Sequence, residues 1–468
     1  MLKFIHLFLL PFFLFGNELE VQLPTRANLT PIYLSRIHTD PSQYDWRYFD
    51  ELRNILAFDF NTSGYFFVAE KRDGLEESLH FPEVRADFNL ALWKKEKIPY
   101  VLAIEVSQNR FYLTAFNVEK GTSKKYPDFP LSGQVDEDRK SIHRLTDLLQ
   151  KDFIGMEGIA SLRIIHTQRV RKPDSKVLDW ISEVWICDAD GGNVQQITSE
   201  KSYCLSPAFL PRSLSFEDPA FYYVSYKTGQ PKIYRASFSH PEGEPMVSLR
   251  GNQALPALTQ KGNQMAFITD VAGRPDLFIQ NFDPGGRMLG KARQLFSSPR
   301  ASQASPTYSP DGKKIAFVSD KEGPPRIYLL EVTGPKETKR AIPRLLTKKN
   351  RENTSPVWSP DGMKLAFSAK VDGIRQIWIY DFATEEETQL TTGPENKENP
   401  SWAPNSLHLV YNTESEDTCE LYLINLNNPV PMQISNGLGQ KRFATWESYP
   451  KERSVLRGPQ EESVRNPR

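Results

Sequence analysis

The side chains that could do chemistry are few, and none falls in a pattern that a known reaction needs. The seven histidines, at positions 6, 38, 80, 143, 166, 240 and 408, form no metal-binding pair. The sequence also lacks G-x-S-x-G, G-x-x-x-x-G-K-[ST] and H-E-x-x-H, which mark nucleophiles, phosphate loops and zinc sites. We therefore predict no catalytic residue, no cofactor and no metal ion, and a protein that is not an enzyme.

One acidic segment, residues 188–193, resembles both a calcium-binding loop and a hairpin turn. Residues 188–193, DADGGN, begin like a calcium loop, but the remaining ligands and the terminal Glu are missing. We favour a hairpin turn, because Asp and Gly suit tight turns between strands. His143 lies inside a predicted helix and His408 opens a predicted strand, so we predict that both are structural.

The composition is that of a folded protein. Of 468 residues, 39% are hydrophobic and 25% charged, which allows two or three domains with buried cores. Lys plus Arg and Asp plus Glu are equal at 58 each, so the formal net charge is zero. A nucleic-acid-binding protein usually has a basic excess or a basic face. We therefore predict no nucleic-acid partner.

The N-terminus has the pattern of an export signal. Lys3 precedes an apolar run from Phe4 to Phe15 that is too short to span a bilayer. We predict a cleaved signal peptide at residues 1–16 and a mature chain without a transmembrane span; an uncleaved anchor or a buried strand is the alternative. The cysteines are predicted to be buried free thiols, with a Cys187–Cys204 disulfide as the alternative.

A repeat organises most of the chain. SPTYSPDGKKIAF (305–317) and SPVWSPDGMKLAF (355–367) belong to a series of units 44 to 50 residues apart. Each unit holds short runs rich in β-branched and aromatic residues, separated by Gly, Pro, Asn and Asp, so it predicts a four-stranded antiparallel sheet. Ser-Pro-Asp-Gly is predicted to be the turn from the innermost to the second strand. Each innermost strand contains one of the following apolar or aromatic residues: Phe209, Leu258, Tyr308, Trp358, Trp402 and Trp446.

The two ends of the repeat region predict how it closes. Residues 162–166 and 184–188 match second and third strands but lack a first strand, whereas residues 442–450 match a first strand with nothing after it. An open array of repeats would leave these half-motifs unexplained. We therefore predict a six-bladed β-propeller at residues 159–450 in which a C-terminal strand completes the first blade.

The residues before the predicted propeller have a different sequence pattern. Residues 45–60, 84–96 and 136–153 predict helices, and residues 100–108 and 110–118 predict a hairpin. We therefore predict an N-terminal α/β domain at residues 17–158. The charged residues 451–468 lack periodicity and are predicted to be a disordered tail.

Several of these segments resemble the TolB family of the Tol–Pal system. The resemblance rests on W-S-P-D-G (358–362) followed by K-[IL]-A-F, on DADGGNVQQIT, on FDFNTSGYF (58–66) and on residues 142–167, and it extends over roughly residues 45–450. It implies a periplasmic scaffold that supports envelope integrity and cell division. It also implies that one mouth of the propeller binds the peptidoglycan-associated lipoprotein Pal.

The same resemblance implies partner-binding residues. They lie in loops that lead from one blade to the next and are small or polar, as suits a wet interface. These residues are Asn252, Gln253, Ala254, Gln303, Ala304, Ser305, Asn353, Thr354, Ser355, Lys397, Glu398 and Asn399.

Two further expectations remain open. The family's TolA-contacting segment corresponds to residues 17–31, NELEVQLPTRANLTP, which depart from the family pattern after Glu20 and Val21, so a TolA-like partner is less well supported than Pal. The alternative function is an exported propeller enzyme. A prolyl-oligopeptidase would need a hydrolase domain, but only 18 residues follow the closing strand. A sugar or lactone hydrolase would need carboxylates or histidines on the inner strands.

Overall fold

The structure, a computed structural model, describes residues 29–39, 44–71, 73–79, 88–171, 180–211, 218–332, 334, 342–415, 418–450 and 461–463. The predicted signal peptide and most of the segment predicted to resemble the TolA-contacting region lie outside the described residues. No helix among those described is both long and apolar enough to cross a membrane.

The N-terminal domain is a mixed sheet with helices on both faces. Its strands pair in the order β2-β1-β3-β4-β5, and β6 pairs with β4. Strand β1 is parallel to β2 and β3, and the β3–β4 hairpin turns at Gln108 and Asn109, both with positive φ. The strands are β1 (Thr30–Thr39), β2 (Phe66–Val68), β3 (Tyr100–Ser107), β4 (Arg110–Asn117), β5 (Thr122–Lys125) and β6 (Phe129–Pro130).

Successive residues of β1 point to opposite faces of this sheet, as the strand period requires. Ile32 and Leu34 pack against the two long helices, whereas Tyr33 packs on the other face. The helices are α1 (Trp46–Thr62), α2 (Asp73–Glu76), α3 (Leu90–Lys95) and α4 (Val135–Ile154), and a 3₁₀ turn covers Glu77–Leu79. Helix α4 ends at Ile154, and Gly155 follows as its C-cap in the left-handed conformation (φ 72°).

Six four-stranded antiparallel sheets follow, as predicted. Blades 2 to 4 are β10 (Cys204–Phe209), β11 (Ala220–Ser225), β12 (Lys232–Ser237) and β13 (Glu244–Pro245); β14 (Gln253–Leu258), β15 (Gln264–Thr269), β16 (Asp276–Phe282) and β17 (Met288–Phe296); β18 (Gln303–Tyr308), β19 (Lys314–Ser319), β20 (Arg326–Glu331) and β21 (Arg344–Leu345).

Blades 5 and 6 continue this order, and blade 1 joins both ends of the repeat region. Their strands are β22 (Asn353–Trp358), β23 (Lys364–Val371), β24 (Ile374–Asp381) and β25 (Glu387–Gln389); β26 (Asn396–Trp402), β27 (His408–Glu414), β28 (Leu421–Asn425) and β29 (Met432–Gln433); β30 (Gln440–Trp446), β7 (Arg163–Arg171), β8 (Trp180–Asp188) and β9 (Gln195–Gln196).

Blade 1 closes the ring as the sequence predicts. Trp446 of β30 pairs with Ile164 of β7, so the last inner strand completes the first sheet. The Arg163 guanidinium donates two hydrogen bonds of 2.9 Å to the Glu447 carboxylate, and such fork-shaped pairing is among the stronger polar contacts. The closure therefore combines a strand ladder with an ion pair between residues 284 positions apart.

The repeated Ser-Pro-Asp-Gly is the predicted turn. The Gly312 N–H donates to the Ser309 carbonyl at 2.8 Å, and Gly312 has a φ of 73°, which glycine adopts without steric cost. Residues 188–193 are also a hairpin turn as predicted, because the Gly191 N–H donates to the Asp188 carbonyl at 2.9 Å.

The propeller has two distinct ends. We call the end where the inner strands begin the mouth face, and the opposite end, which carries the Ser-Pro-Asp-Gly turns, the domain face. At the domain face the N-terminal domain contacts blades 6 and 1. His408 Nε2 lies 2.7 Å from the Thr62 carbonyl, and Phe58 packs into the apolar core that blades 6 and 1 share.

Three predictions need correction or restriction. In the tail predicted to be disordered, Glu461–Ser463 forms strand β31, because the edge of the N-terminal sheet at β5 offers unpaired backbone groups. The helix predicted at residues 84–96 is described only at Leu90–Lys95. The cysteines Cys187, Cys204 and Cys419 are buried and free, so the alternative disulfide between the first two is not formed.

Candidate functional site

All six inner strands contain the same irregularity. Each has a β-bulge at its third or fourth residue, where the pairing register with the second strand shifts. One residue of each bulge adopts a left-handed conformation, and Pro follows it in five of the six strands. These residues are Ser206, Leu255, Ser305, Ser355, Asn399 and Phe443, with φ between 42° and 55°.

The bulges surround the channel of the propeller. Their residues, with the prolines that follow, line a cavity of about 330 Å³ that all six inner strands share. Trp358 and Tyr308 add aromatic walls. The first Ser-Pro of SPTYSPDG is therefore a bulge at the channel, and the second Ser-Pro begins the turn at the domain face.

The residue two positions before each bulge residue is buried. These six residues are Cys204, Gln253, Gln303, Asn353, Lys397 and Lys441, none more than 4% exposed. The Gln253 amide shows their role, since its Oε1 accepts from the Ile233 N–H at 3.2 Å and its Nε2 donates to the Leu249 carbonyl at 2.9 Å. The Gln253 N–H also donates to the Pro231 carbonyl of blade 2. The backbone contact recurs in the next two blades, where the Gln303 and Asn353 N–H groups donate to the Pro275 and Pro325 carbonyls, so the starts of the inner strands link neighbouring blades.

This placement changes part of the predicted site. Eleven of the twelve predicted residues lie in the first residues of inner strands rather than in loops, because each bulge lets its strand begin earlier than the regular pattern suggests. Gln253, Gln303, Asn353 and Lys397 are buried between blades, so they can act on a partner only by positioning their neighbours. Ala254 and Ala304 are half-buried strand residues. Whether the set contacts a partner stays a prediction.

On blades 5 and 6 the structure does bring predicted residues together. Arg375 Nη1 donates to Thr354 Oγ1 at 3.2 Å, and Arg375 Nε lies 3.0 Å from Glu398 Oε1. Beside them Ser355 Oγ donates to Asn399 Oδ1 at 3.3 Å. Four predicted residues on two blades therefore form one polar surface through an arginine that the sequence reasoning missed.

This polar surface carries both signs of charge. Glu352 lies 3.8 Å from Arg375, and Glu414 pairs with Arg442 of the closing strand. Burial raises the pKa of Glu398, and Glu414 adds to this effect, whereas Arg375 and Arg442 oppose it. A partner would therefore meet alternating charges across three consecutive blades, which favours a polar and specific contact.

A second set of missed residues lies in the turns between second and third strands. Asp270 accepts hydrogen bonds from the Asn252 backbone and side chain, at 2.8 and 2.7 Å, and Asp320 accepts from the Ser302 N–H at 2.7 Å. In a four-stranded blade these turns reach the same end as the start of the inner strand. The strand order could have identified them, because Asp270 and Asp320 directly follow the second strands β15 and β19.

The described residues around the channel offer no acid–base pair. The cavity is lined by Ser, Thr, Asn, Pro, aromatic and aliphatic residues, without a carboxylate or a histidine among the described residues. His166, in the second strand of blade 1, is buried, and burial together with the charge of Lys441 lowers its pKa to about 3. This arrangement can bind polar groups through the hydroxyl and amide side chains of its lining.

Comparisons with known proteins agree with the fold. The profile of the TolB β-propeller domain matches residues 152–450. The chain is similar to the TolB homolog of Protochlamydia amoebophila, 42% identical over 62% of each chain, and to that of Chlamydia muridarum, 34% identical over 62% of this chain and 61% of the relative. The crystal structure of TolB from Acinetobacter baumannii matches with a TM-score of 0.70 at 23% identity, covering 91% of this chain and 98% of that one. The sequence matches span about three-fifths of these curated relatives.

Proposed function

Because this chain belongs to the TolB β-propeller family, we propose that it is a periplasmic scaffold whose mouth face binds a Pal-like peptidoglycan-associated lipoprotein. In this role it supports outer-membrane integrity and cell division and performs no catalysis. The relatives named above are TolB homologs, which supports membership in the Tol–Pal system. The binding partner, the periplasmic location and the cellular role are parts of the proposal.

The observation that carries the proposal is the polar surface around Arg375. Thr354, Glu398 and Asn399 begin inner strands that the bulges and the buried linking residues hold in place. Their polar groups are partly exposed, so a partner can bond to them without unfolding the ring. Preorganised polar groups bind with little loss of conformational entropy. A rigid ring with a half-exposed polar mouth suits protein binding.

The alternative enzyme function has less support. A sugar or lactone hydrolase would use carboxylates or histidines in the channel. The polar residues that the bulges present there instead are Ser206, Ser305, Ser355 and Asn399. A binding scaffold therefore fits the described channel better.

A titration of the mature protein with the periplasmic domain of Pal tests the proposal. Thr354→Trp and Asn252→Trp place bulky groups at the mouth face of blades 5 and 3, and we expect each to weaken binding at least about tenfold, equivalent to about 1.4 kcal/mol. Isothermal titration calorimetry measures the dissociation constants.

The matched control is Lys313→Trp, which adds the same side chain at an exposed turn of the domain face. This variant should bind like the wild type, and thermal unfolding should show that all three variants are folded. No saturable binding by the wild type at tens of micromolar would contradict the proposed partner. Equal weakening by Lys313→Trp would move the interface away from the mouth face.

A further inference from the structure

A cluster of buried charges lies where helix α4 meets blade 1. His143 comes from the helix, Asp188 is the last residue of β8, and Asp190 lies in the turn that follows. The side chains of His143, Asp188 and Asp190 are 2%, 7% and 8% exposed. One ligand atom from each lies within 4.8 Å of the others. The chain thus brings an imidazole and two carboxylates together from opposite sides of a domain boundary.

The imidazole is oriented by a carboxylate behind it. His143 Nδ1 lies 2.8 Å from Asp59 Oδ2, which also accepts a 3.0 Å hydrogen bond from Thr146 Oγ1. This contact leaves His143 Nε2 buried without a hydrogen-bond partner, at 3.7 Å from Asp190 Oδ2. Metal-binding histidines are typically held in this way, with the second ring nitrogen on a carboxylate.

Residues 188–193 place two carboxylates near His143 Nε2. Asp190 Oδ1 accepts from the Gly192 N–H at 3.0 Å, so Oδ2 is the oxygen that faces His143. Asp188 Oδ2 is buried and lies 3.2 Å from Arg139 Nε, an ion pair that lacks hydrogen-bond geometry. A Cβ atom on Gly192 would lie 2.0 Å from the Arg139 guanidinium, so a larger residue there would displace the arginine from its present position.

Charge is not balanced within the cluster. Asp59, Asp188 and Asp190 supply three carboxylates, whereas Arg139 is the cation bonded to the pair in the turn, with Nε 3.2 Å from Asp188 Oδ2. Lys140 acts on Asp188 only at longer range. A histidine that binds a metal ion is neutral, and in that state two negative charges of the cluster stay unmatched without the ion, which is costly for buried groups.

We propose that His143, Asp188 and Asp190 form a site for a divalent transition-metal ion, with Zn²⁺ as the best fit. Nitrogen and oxygen ligands at about 2.0–2.2 Å suit Zn²⁺, and a charge of two matches the excess. Arg139 can keep its bonds, since each carboxylate oxygen has two lone pairs. A cleft of about 380 Å³, which includes Asn193 in its lining, leads to His143 and Asp188 and gives the ion access.

Such an ion would tie the N-terminal domain to the propeller. The sequence pattern alone does not predict this site. Residues 188–193 contain too few ligands for a calcium loop, and the histidine lies 45 positions before Asp188. This site differs from the mouth face in position and chemistry, so the two proposals can fail independently.

The test is a metal titration of the full mature chain. After dialysis against a chelator, the protein is titrated with CoCl₂, whose visible absorption reports coordination in a low-symmetry site, and then with ZnCl₂ as competitor. We expect one equivalent of Co²⁺, displaced by Zn²⁺. His143→Gln and Asp190→Asn should abolish the absorption, and Asp59→Asn should weaken binding about 10- to 100-fold, as for a residue that positions a ligand.

His240→Gln is the matched control, because His240 is exposed beside Glu242 and far from the cluster in sequence. It should leave the titration unchanged. Circular dichroism checks folding, and if His143→Gln does not fold, Asp190→Asn and the wild-type spectrum decide. The proposal is overturned if the wild type shows no Co²⁺ absorption at millimolar metal, or if a folded His143→Gln or Asp190→Asn variant binds as the wild type does.

Discussion

At the mouth face Arg375 lies between Glu352 and Glu398 with side chains 25% to 33% exposed, whereas at the domain face Arg139 lies against Asp188 and Asp190 with side chains at most 10% exposed. Water still solvates the first set, so its ion pairs contribute little to stability and can be exchanged for a partner's groups. The second set is largely removed from water, so breaking one of its pairs leaves an uncompensated charge. The ion pairs at the mouth face of the propeller can thus be exchanged, whereas those at its domain face are fixed.

Two glycines with nearly the same backbone conformation give the largest contrast between these ends. Gly191 at the domain face has a φ of 84°, and a Cβ atom there would lie 1.6 Å from the Ile434 carbonyl oxygen. We expect Gly191→Ala to lower the free energy of unfolding by about 4 kcal/mol or more, because strain and overlap add. Urea unfolding measures the change.

Gly229→Ala is the control at the mouth face. Gly229 has a φ of 85° but no atom within 4 Å of its Cβ position, so only the backbone strain of about 1 to 2 kcal/mol remains. Equal losses for the two variants would mean that the domain face is no more tightly packed than the mouth face.

Acid should weaken the domain face next. Burial lowers the pKa of His408 to about 4, below its usual 6.5, although the Thr62 carbonyl opposes the shift. The unfolded chain therefore binds a proton that the folded chain excludes, so the stabilisation is complete above pH 6.5 and falls as the pH drops toward 4. The expected loss is about 3 kcal/mol.

Urea unfolding of the wild type and of His408→Gln between pH 7 and 4.5 checks this expectation. The variant should lose less stability on acidification than the wild type, and His240→Gln, at an exposed site, should follow the wild type. Parallel curves for His408→Gln and the wild type would show that His408 is not the group responsible.

The smallest effect on stability is expected at the mouth face. Arg375→Met removes the contacts to Thr354, Glu352 and Glu398, yet these groups stay partly solvated, so unfolding should change by less than about 1 kcal/mol. The same variant should weaken binding of the Pal periplasmic domain measurably. A large loss of stability would place Arg375 among the structural residues instead.

The sequence predicted the blades well because their signals are local. Alternating apolar residues and Ser-Pro-Asp-Gly turns lie within single units. The strand of Trp446 predicted the closure of the ring, because no second strand follows it in the sequence. The channel was predicted less well. The first Ser-Pro of each repeat resembles an ordinary turn, and only pairing across the blade shows that Ser305 and Ser355 form bulges.

By itself the sequence determined the number of blades, the closing strand, the two long N-terminal helices and the family, because each can be recognised from short motifs in the chain. Only the tertiary structure decided that the Gln253 amide bonds to blade 2, that Arg375 joins blades 5 and 6, and that His143 meets Asp188 and Asp190. These contacts join residues far apart in the chain. A local sequence pattern predicts a strand, but it does not predict which side chains of other strands or helices will lie beside it.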